Sequence, residues 1–264
     1  MIAIMRSEWI KLRTTAVPWV LTGIALIINA LLILVIFLTK PDQGPNGNSG
    51  SLVSPGYTVP HTTQQLRNLV GSGFQGYLFA LLLGTLIVTT EFRHKTVTTS
   101  FLVTPVRTAL VAGKLLTAAV LGAVLAVVML VATVIGGGLT LAARGGSFSD
   151  MVHQIPAVAP GMILVFALFA ILGVGVGSVL TNQVAAIIVV LGWFIILEGI
   201  LVSLVHGAER WVPTGAATAA ANLTRGRGID YGLFNWWEGA LLMLFYGLAF
   251  AAVGSLILTR RDIT

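Results

Sequence analysis

Six apolar runs of membrane-spanning length constrain this chain more than any other feature. A helix of about 20 residues crosses the hydrocarbon core of a bilayer, and a lone lipid-exposed segment satisfies its backbone hydrogen bonds only as a helix. The sequence therefore predicts an all-α integral membrane protein with six transmembrane helices, in which residues 1–264 form a single transmembrane domain. The predicted spans are 18–38, 70–89, 115–135, 160–180, 184–205 and 240–259.

Composition points the same way. Charged residues make up only 9% of the chain, and the mean hydropathy is +0.96. A soluble domain has about 25% charged residues, so this chain has too little charge to solvate a globular surface and the lipid bilayer is its predicted partner. The net charge of +6 needs no nucleic acid to explain it, because cytoplasmic loops collect Lys and Arg.

Residues for catalysis or metal binding do not cluster in the sequence. The chain has no cysteine, which excludes disulfides, thiolate ligands and cysteine nucleophiles. Its four histidines are widely separated and show no metal-ligand spacing. We therefore nominate no catalytic residue and no metal site.

The distribution of Lys and Arg predicts that both termini are cytoplasmic. With the N-terminus inside, the inner basic residues are Arg6, Lys11, Arg13, Arg93, Lys95, Arg107, Lys114, Arg260 and Arg261. The outer ones are Lys40, Arg67, Arg144, Arg210, Arg225 and Arg227. The inner residues lie in short segments next to the spans, where the positive-inside rule applies, whereas the outer ones are scattered through longer loops.

The residues before the first span favour a helix lying in the membrane interface, at about 2–14. Its apolar side chains share one stripe, and Trp9 would lie at headgroup depth. Its polar and interfacial residues are Glu8, Trp9, Lys11 and Arg13. The alternative is a positively charged flank with no further role.

The connection between the second and third spans mixes charged with apolar residues. Glu91 and Lys95 have the i, i+4 spacing that supports a helix, and Pro105 prevents its continuation. The segment 91–105 therefore predicts a short amphipathic helix parallel to the membrane, which rests either on lipid or in a groove of a soluble partner. The residues nominated for this contact are Glu91, Phe92, Arg93, Lys95, Thr96, Phe101, Leu102 and Pro105.

Two apparent nucleotide motifs fail on context. Gly71, Gly73 and Gly76 match GxGxxG, but they lie at the mouth of a membrane helix rather than after a strand, so helix packing explains them better. Gly113 and Lys114 resemble the end of a P-loop without its first glycine or its Ser/Thr. We expect no nucleotide site in this chain.

Polar and small residues inside the spans suggest further sites. Glu198 lies deep in the fifth span, where a charge costs roughly 2.5–3.5 kcal/mol on insertion scales. It either handles substrate or protons, or it is a neutral acid hydrogen-bonded between helices, with Asn29 as a possible partner. Gly173 and Gly177 form a GxxxG pattern that packs within one subunit or at a subunit interface. The stretch 216–223 favours a short re-entrant helix on the outer side.

Three segments together resemble the ABC-2 type ABC transporter permeases, particularly the short actinobacterial transmembrane subunits. They are SEWIKLRTT before the first span, TTEFRHKTVTTSFLVTPVR after the second and VAGKLL at the third. The resemblance covers the whole chain. The family pattern has Glu, three residues, then Gly-Thr; Glu91 and Thr96 match it, and Lys95 stands at the glycine position.

The resemblance implies a type V exporter-like architecture in which the N-terminal segment is the interfacial helix and 91–105 is a cytoplasmic coupling helix. It implies two copies of a separate ABC ATPase, which hold ATP and Mg, and a second permease chain, identical or homologous. It also implies a bacterial plasma-membrane exporter of an amphipathic or apolar cargo, such as a drug, lipid, antibiotic or peptide. Two alternatives stay open: a non-transporting assembly or sensory subunit, and an ion-translocating protein that uses Glu198.

Overall fold

The computed structural model describes residues 15–38, 63–94, 107–180, 182–223 and 234–260, and no strand occurs among them. The ten α-helices of this part are α1 (Ala16–Leu38), α2 (Thr63–Val70), α3 (Tyr77–Arg93), α4 (Arg107–Ala143), α5 (Phe148–Val152), α6 (Ile155–Val179), α7 (Gln183–Leu191), α8 (Glu198–Leu204), α9 (Pro213–Ala220) and α10 (Trp236–Arg260). A 3₁₀ segment, Gly71–Gly76, joins α2 to α3, and a π-helical segment, Gly192–Leu197, joins α7 to α8. A further 3₁₀ turn covers Ala208–Arg210.

Six of these stretches are long and apolar enough to cross a membrane, by length and composition. They are α1, α2–α3, α4, α6, α7–α8 and α10. The prediction of an all-helical protein with six helices of this kind is confirmed, and the chain is a multi-pass membrane protein.

The helices extend beyond the apolar runs. The second spanning stretch begins at Thr63 rather than at 70, and α4 covers Arg107–Ala143 where the apolar run gives 115–135. Hydropathy marks only the part of a helix that suits lipid, whereas backbone hydrogen bonding continues until a cap or a turn ends it. The spanning helices therefore project beyond the bilayer core at several ends.

Helix α6 lies at the centre of the bundle and packs against α3, α4 and α10. Glycine permits the closest of these contacts. A Cβ atom on Gly173 would lie 2.1 Å from the carbonyl oxygen of Leu81, and one on Gly84 would lie 1.9 Å from that of Ala170. A Cβ atom on Gly177 would lie 2.7 Å from the carbonyl oxygen of Thr85. The two glycines of the GxxxG pattern thus pack against α3 of the same chain. This contact favours packing within one subunit over a subunit interface.

Burial divides the spans into an inner and an outer set. In the most apolar stretch of α2–α3, 83% of residues are buried, against 17% in α1 and in α7–α8. An aromatic contact attaches the fifth span to the core: Phe194 meets Phe169 edge-on at a centroid distance of 5.5 Å, and Phe169 in turn stacks on Tyr77 of the second span at 4.5 Å. The outer helices therefore expose broad apolar surfaces, as lipid requires.

The short helix α9 packs between α6 and α10. Its residues from Thr214 to Ala220 are buried, and Cβ atoms on Gly161 and Gly239 would collide with its carbonyl oxygens. The sequence placed this helix at 216–223. It begins earlier because Pro213 occupies its first turn, and it ends earlier because Asn222 adopts a left-handed conformation (φ 55°).

The two ends of the bundle are distinct. At one end, which we call the hairpin end, the C-terminus of α3 lies beside the tight α6–α7 connection, and Arg93 Nη1 donates to Gln183 Oε1 at 3.3 Å. At the opposite end, the loop end, Arg144 Nη2 donates to the carbonyl oxygen of Phe37 at 2.7 Å. Arg67 also donates there, to Gln154 Oε1 at 3.2 Å. Consecutive spans therefore run in opposite directions.

Candidate functional site

A buried ion pair joins the second and third spans at the hairpin end. Lys114 Nζ lies 2.6 Å from Glu91 Oε1, and the two residues are only 4% and 8% exposed. Glu91 lies in the last turn of α3, and Lys114 lies in the third turn of α4. The pair thus holds together the two helices on either side of the connecting segment 95–106.

Polar residues next to the ion pair are satisfied by their own helices. Thr89 Oγ1 donates to the carbonyl oxygen of Thr85 at 3.0 Å, and Thr117 Oγ1 donates to that of Gly113 at 2.8 Å. Both threonines are buried. Because these hydroxyls bond locally, they do not tie one helix to another, and the ion pair supplies that link.

Arg93 extends the connection to a third helix. It is exposed, and its hydrogen bond to Gln183 links α3 to the start of α7. Phe92, between Glu91 and Arg93, packs against the main hydrophobic core. Three consecutive residues of α3 therefore contact α4, the core and α7.

This arrangement changes the predicted coupling segment. Glu91, Phe92 and Arg93 form the end of the second span rather than the start of a separate helix, because nothing at Thr89 or Thr90 interrupts α3. Glu91 pairs with Lys114, which was not among the contact residues nominated from the sequence. The remaining nominated residues lie outside the described ranges: Lys95, Thr96, Phe101, Leu102 and Pro105 of the coupling segment, and Glu8, Trp9, Lys11 and Arg13 of the interfacial helix.

Glu198 forms a second buried contact, near the loop end. It is 3% exposed and directly follows the π-helical segment. Its Oε1 accepts hydrogen bonds from the backbone N–H of Thr214, at 3.0 Å, and from the Thr214 hydroxyl. Thr214 lies in the first turn of α9, where unpaired N–H groups favour a carboxyl oxygen. Glu198 therefore ties the fifth span to α9.

The structure does not bring Glu198 and Asn29 together as partners. Asn29 is 2% exposed, and its Nδ2 donates to Thr133 Oγ1 on α4 at 3.0 Å. No sequence pattern marks Thr133 or Thr214, because each residue meets its partner through the packing of separate helices. Of the two roles considered for Glu198, its contacts with Thr214 favour the acid hydrogen-bonded between helices.

Metal chemistry receives no support from the described part of the chain. No group of three or more His, Asp or Glu residues in the ranges 15–38, 63–94, 107–180, 182–223 and 234–260 lies close enough to hold a metal ion. Three of the buried or charged pairs described above, Glu91–Lys114, Glu198–Thr214 and Asn29–Thr133, join one helix to another.

Comparisons with known proteins add no identification, because no family model, no curated protein and no solved structure matches this chain.

Proposed function

We propose that this chain is the permease subunit of an ABC-2 type exporter, driven by a separate ATPase. The observation that supports this most directly is the buried Glu91–Lys114 ion pair. It joins the two spans at the points where the connecting segment leaves and re-enters the bundle. A force applied to that segment would therefore act on both helices at once.

The packing of α3 suggests how such a force would spread. Close backbone contacts at Gly84 and Gly173 fix α3 to the central helix α6, and Arg93 reaches α7. Closely packed helices move as rigid bodies rather than deforming. Closure of two ATP- and Mg-loaded ATPases would then shift α3, α4 and α6 together relative to a second permease chain.

Orientation in the membrane follows from charge. The hairpin end carries Arg93 and Lys114, and the sequence adds Lys95 in the connecting segment and Arg107 at the start of α4. Short basic connections face the cytoplasm, so we assign the hairpin end, both termini and the coupling segment to the cytoplasmic side of a bacterial plasma membrane. The cargo class, amphipathic or apolar molecules, rests on the sequence resemblance alone.

Partner identification tests the proposal. The tagged full-length chain is purified from its native membrane in lipid nanodiscs, and an ATP-hydrolysing protein is expected to co-purify at about equal stoichiometry, as one ATPase per permease chain requires. Glu91→Gln should reduce the retained ATPase activity, because it uncouples α3 from α4. Glu238→Gln is the matched control, since Glu238 caps the start of its own helix, α10: its Oε2 accepts from the backbone N–H of Asn235 at 2.8 Å.

The outcomes separate the hypotheses. Absence of an ATP-hydrolysing partner would refute the permease assignment and favour an assembly or sensory subunit. Equal activity of Glu91→Gln and the control would refute the role of the ion pair in coupling.

Topology has its own test, for which the cysteine-free chain is a suitable background. His94 is exposed at the hairpin end, and Ser149 is exposed at the loop end. On intact cells a membrane-impermeant maleimide should label Ser149→Cys and should label His94→Cys only after permeabilisation. The reverse pattern would invert the assignment of the two ends.

A further inference from the structure

A small cavity with a few polar side chains in its wall lies within the membrane-spanning part of the bundle, away from Glu91 and Glu198. It is bounded by α1, the 3₁₀ segment Gly71–Gly76, Phe79 of α3 and α4. Its lining residues include Ala25, Ile28, Asn29, Leu32, Ser72, Gly73, Gln75, Gly76, Phe79 and Met129. Most of its wall is apolar, while Asn29, Ser72 and Gln75 bring polar groups to it.

Two of these polar side chains have hydrogen-bonding capacity that the described residues leave unused. Asn29 and Ser72 are 2% and 4% exposed. Asn29 Oδ1 and Ser72 Oγ make no hydrogen bond within the described part of the chain, although Asn29 Nδ2 bonds to Thr133. Burying such a group without a partner is unfavourable, and polar residues inside membrane proteins commonly face a wet cavity or a ligand.

The depth of the cavity makes these groups costly to leave unpaired. Asn29 lies nine residues before Leu38, the end of α1, which is about 13 Å along a helix axis. The hydrocarbon core is about 30 Å thick, so Asn29 lies near its middle. Lipid chains there offer no hydrogen bond.

Gly73 helps to form the site. A Cβ atom at this position would lie 2.6 Å from Thr133 Oγ1 and 3.2 Å from the carbonyl oxygen of Met129. The missing side chain therefore lets α4 approach the 3₁₀ segment. This close approach brings Thr133 to Asn29, so that Asn29 Nδ2 is held by its hydrogen bond to Thr133 Oγ1. Asn29 Oδ1 remains available to a guest.

The chemistry of the lining limits the guest. None of the described lining residues is charged, so a charged guest would find no counter-ion. If the Asn29 amide turned over, its carbonyl would accept from Thr133 and its amino group would be the unused half. A hydroxyl group both donates and accepts, so it satisfies Asn29 in either orientation and Ser72 as well.

The small volume of the cavity further limits which guest can bind. After atomic contacts are allowed for, the cavity has room for about one water molecule. Drug-sized ligands need roughly 300–1,000 Å³. Ile28 and Gln75 are exposed on the outer surface, so the cavity borders the lipid-facing side and is partly open. A guest of this size is a single water or the hydroxyl end of a longer molecule.

We propose that this cavity binds one neutral hydroxyl group, which hydrogen-bonds to Asn29 and Ser72. The hydroxyl comes from water or from an amphipathic alcohol that reaches the cavity from the bilayer. The site is independent of the permease assignment, since it needs no ATPase.

Nuclear magnetic resonance on the full-length chain in lipid nanodiscs tests the proposal. With Asn side-chain and Met methyl labelling, the Asn29 amide protons should show magnetisation transfer from the resonance of water or of an added alcohol, as distinct from the hydroxyl of Thr133, to which Asn29 Nδ2 already donates. Asn29→Leu assigns the signal. Ser72→Ala should remove most of this transfer. Ser178→Ala is the matched control, because buried Ser178 donates to the carbonyl oxygen of Val174 in its own helix at 2.7 Å and lies away from the cavity.

Added 1-butanol distinguishes the two sources. Transfer from its methylene protons to the Met129 methyl, with loss of the water signal at Asn29, assigns the site to an amphiphile. Persistence of the water signal without contact to butanol assigns it to water, and n-pentane should leave that signal unchanged. If Asn29 receives transfer from neither water nor butanol, the proposal is overturned. This decisive measurement uses the unmodified chain, so it does not depend on the folding of a variant.

Discussion

The buried ion pair at the hairpin end can be tested by a double-mutant cycle. Glu91 and Lys114 are 8% and 4% exposed and lie 2.6 Å apart, so each compensates a charge that water hardly reaches. Removing one partner from a buried pair costs about 3–5 kcal/mol, whereas a surface pair is worth about 0–1 kcal/mol. We therefore expect Glu91→Leu and Lys114→Met each to destabilise the protein by about 3–5 kcal/mol.

The double variant should behave differently. With both charges replaced by apolar side chains of similar length, no buried charge remains, and the stability should stay within about 1–2 kcal/mol of the original. The interaction energy would then be several kcal/mol. It is measured by reversible unfolding in mixed micelles on titration with sodium dodecyl sulfate, followed by far-ultraviolet circular dichroism.

A control defines the scale of this experiment. Glu238→Gln, in the partly exposed cap of α10, should cost no more than about 1 kcal/mol. If the double variant loses the sum of the two single effects, to within about 0.5 kcal/mol, then Glu91 and Lys114 act independently. That result would refute the reasoning that the two residues stabilise the protein as one buried ion pair.

Two further predictions concern the interior of the bundle. The free energy of unfolding of Glu198→Gln should lie within about 1 kcal/mol of that of the original protein, because the Gln amide oxygen can still accept from Thr214. This variant should also keep the full ATPase activity of the complex. Glu198→Leu should lower the free energy of unfolding by about 1–3 kcal/mol. Loss of activity in Glu198→Gln with unchanged stability would instead indicate proton transfer. Gly173→Ala should cost about 1–3 kcal/mol or more, because its Cβ would collide with the carbonyl oxygen of Leu81, while Gly23→Ala, with no atom within 4 Å, should gain up to about 1 kcal/mol. Equal midpoints of thermal unfolding for these two glycine variants would contradict the proposed packing.

The number and type of the helices could be predicted because hydrophobicity is local information. About 20 apolar residues in a row suffice to predict a span, whatever surrounds it. The ends of the helices were harder to predict. Helix α4 begins at Arg107, eight residues before the predicted start of the span at 115, and the residues between them suit water as well as lipid. Hydropathy therefore does not reveal where a continuous helix extends beyond the bilayer.

Polar partners could not be predicted, since they depend on how distant helices meet. Glu91 had Lys95 four residues away, yet it pairs with Lys114, twenty-three residues further along the chain. Glu198 meets Thr214 because α9 folds back between α6 and α10. In both cases the sequence identified a residue that needs a partner, and only the packing shows which one it has.

The glycine contacts between α3 and α6 have a consequence for how this protein can diverge. On α1 and on α7–α8 a lipid-facing position asks only for an apolar side chain, so Leu, Ile, Val and Phe are interchangeable there. At Gly84 and Gly173 even one added carbon meets backbone, which cannot move aside as a side chain does. Substitutions should therefore accumulate quickly on the outer spans and slowly along this seam. Distant descendants of this chain should be recognisable by the spacing of small residues in their second and fourth spans long after the rest of the sequence has drifted.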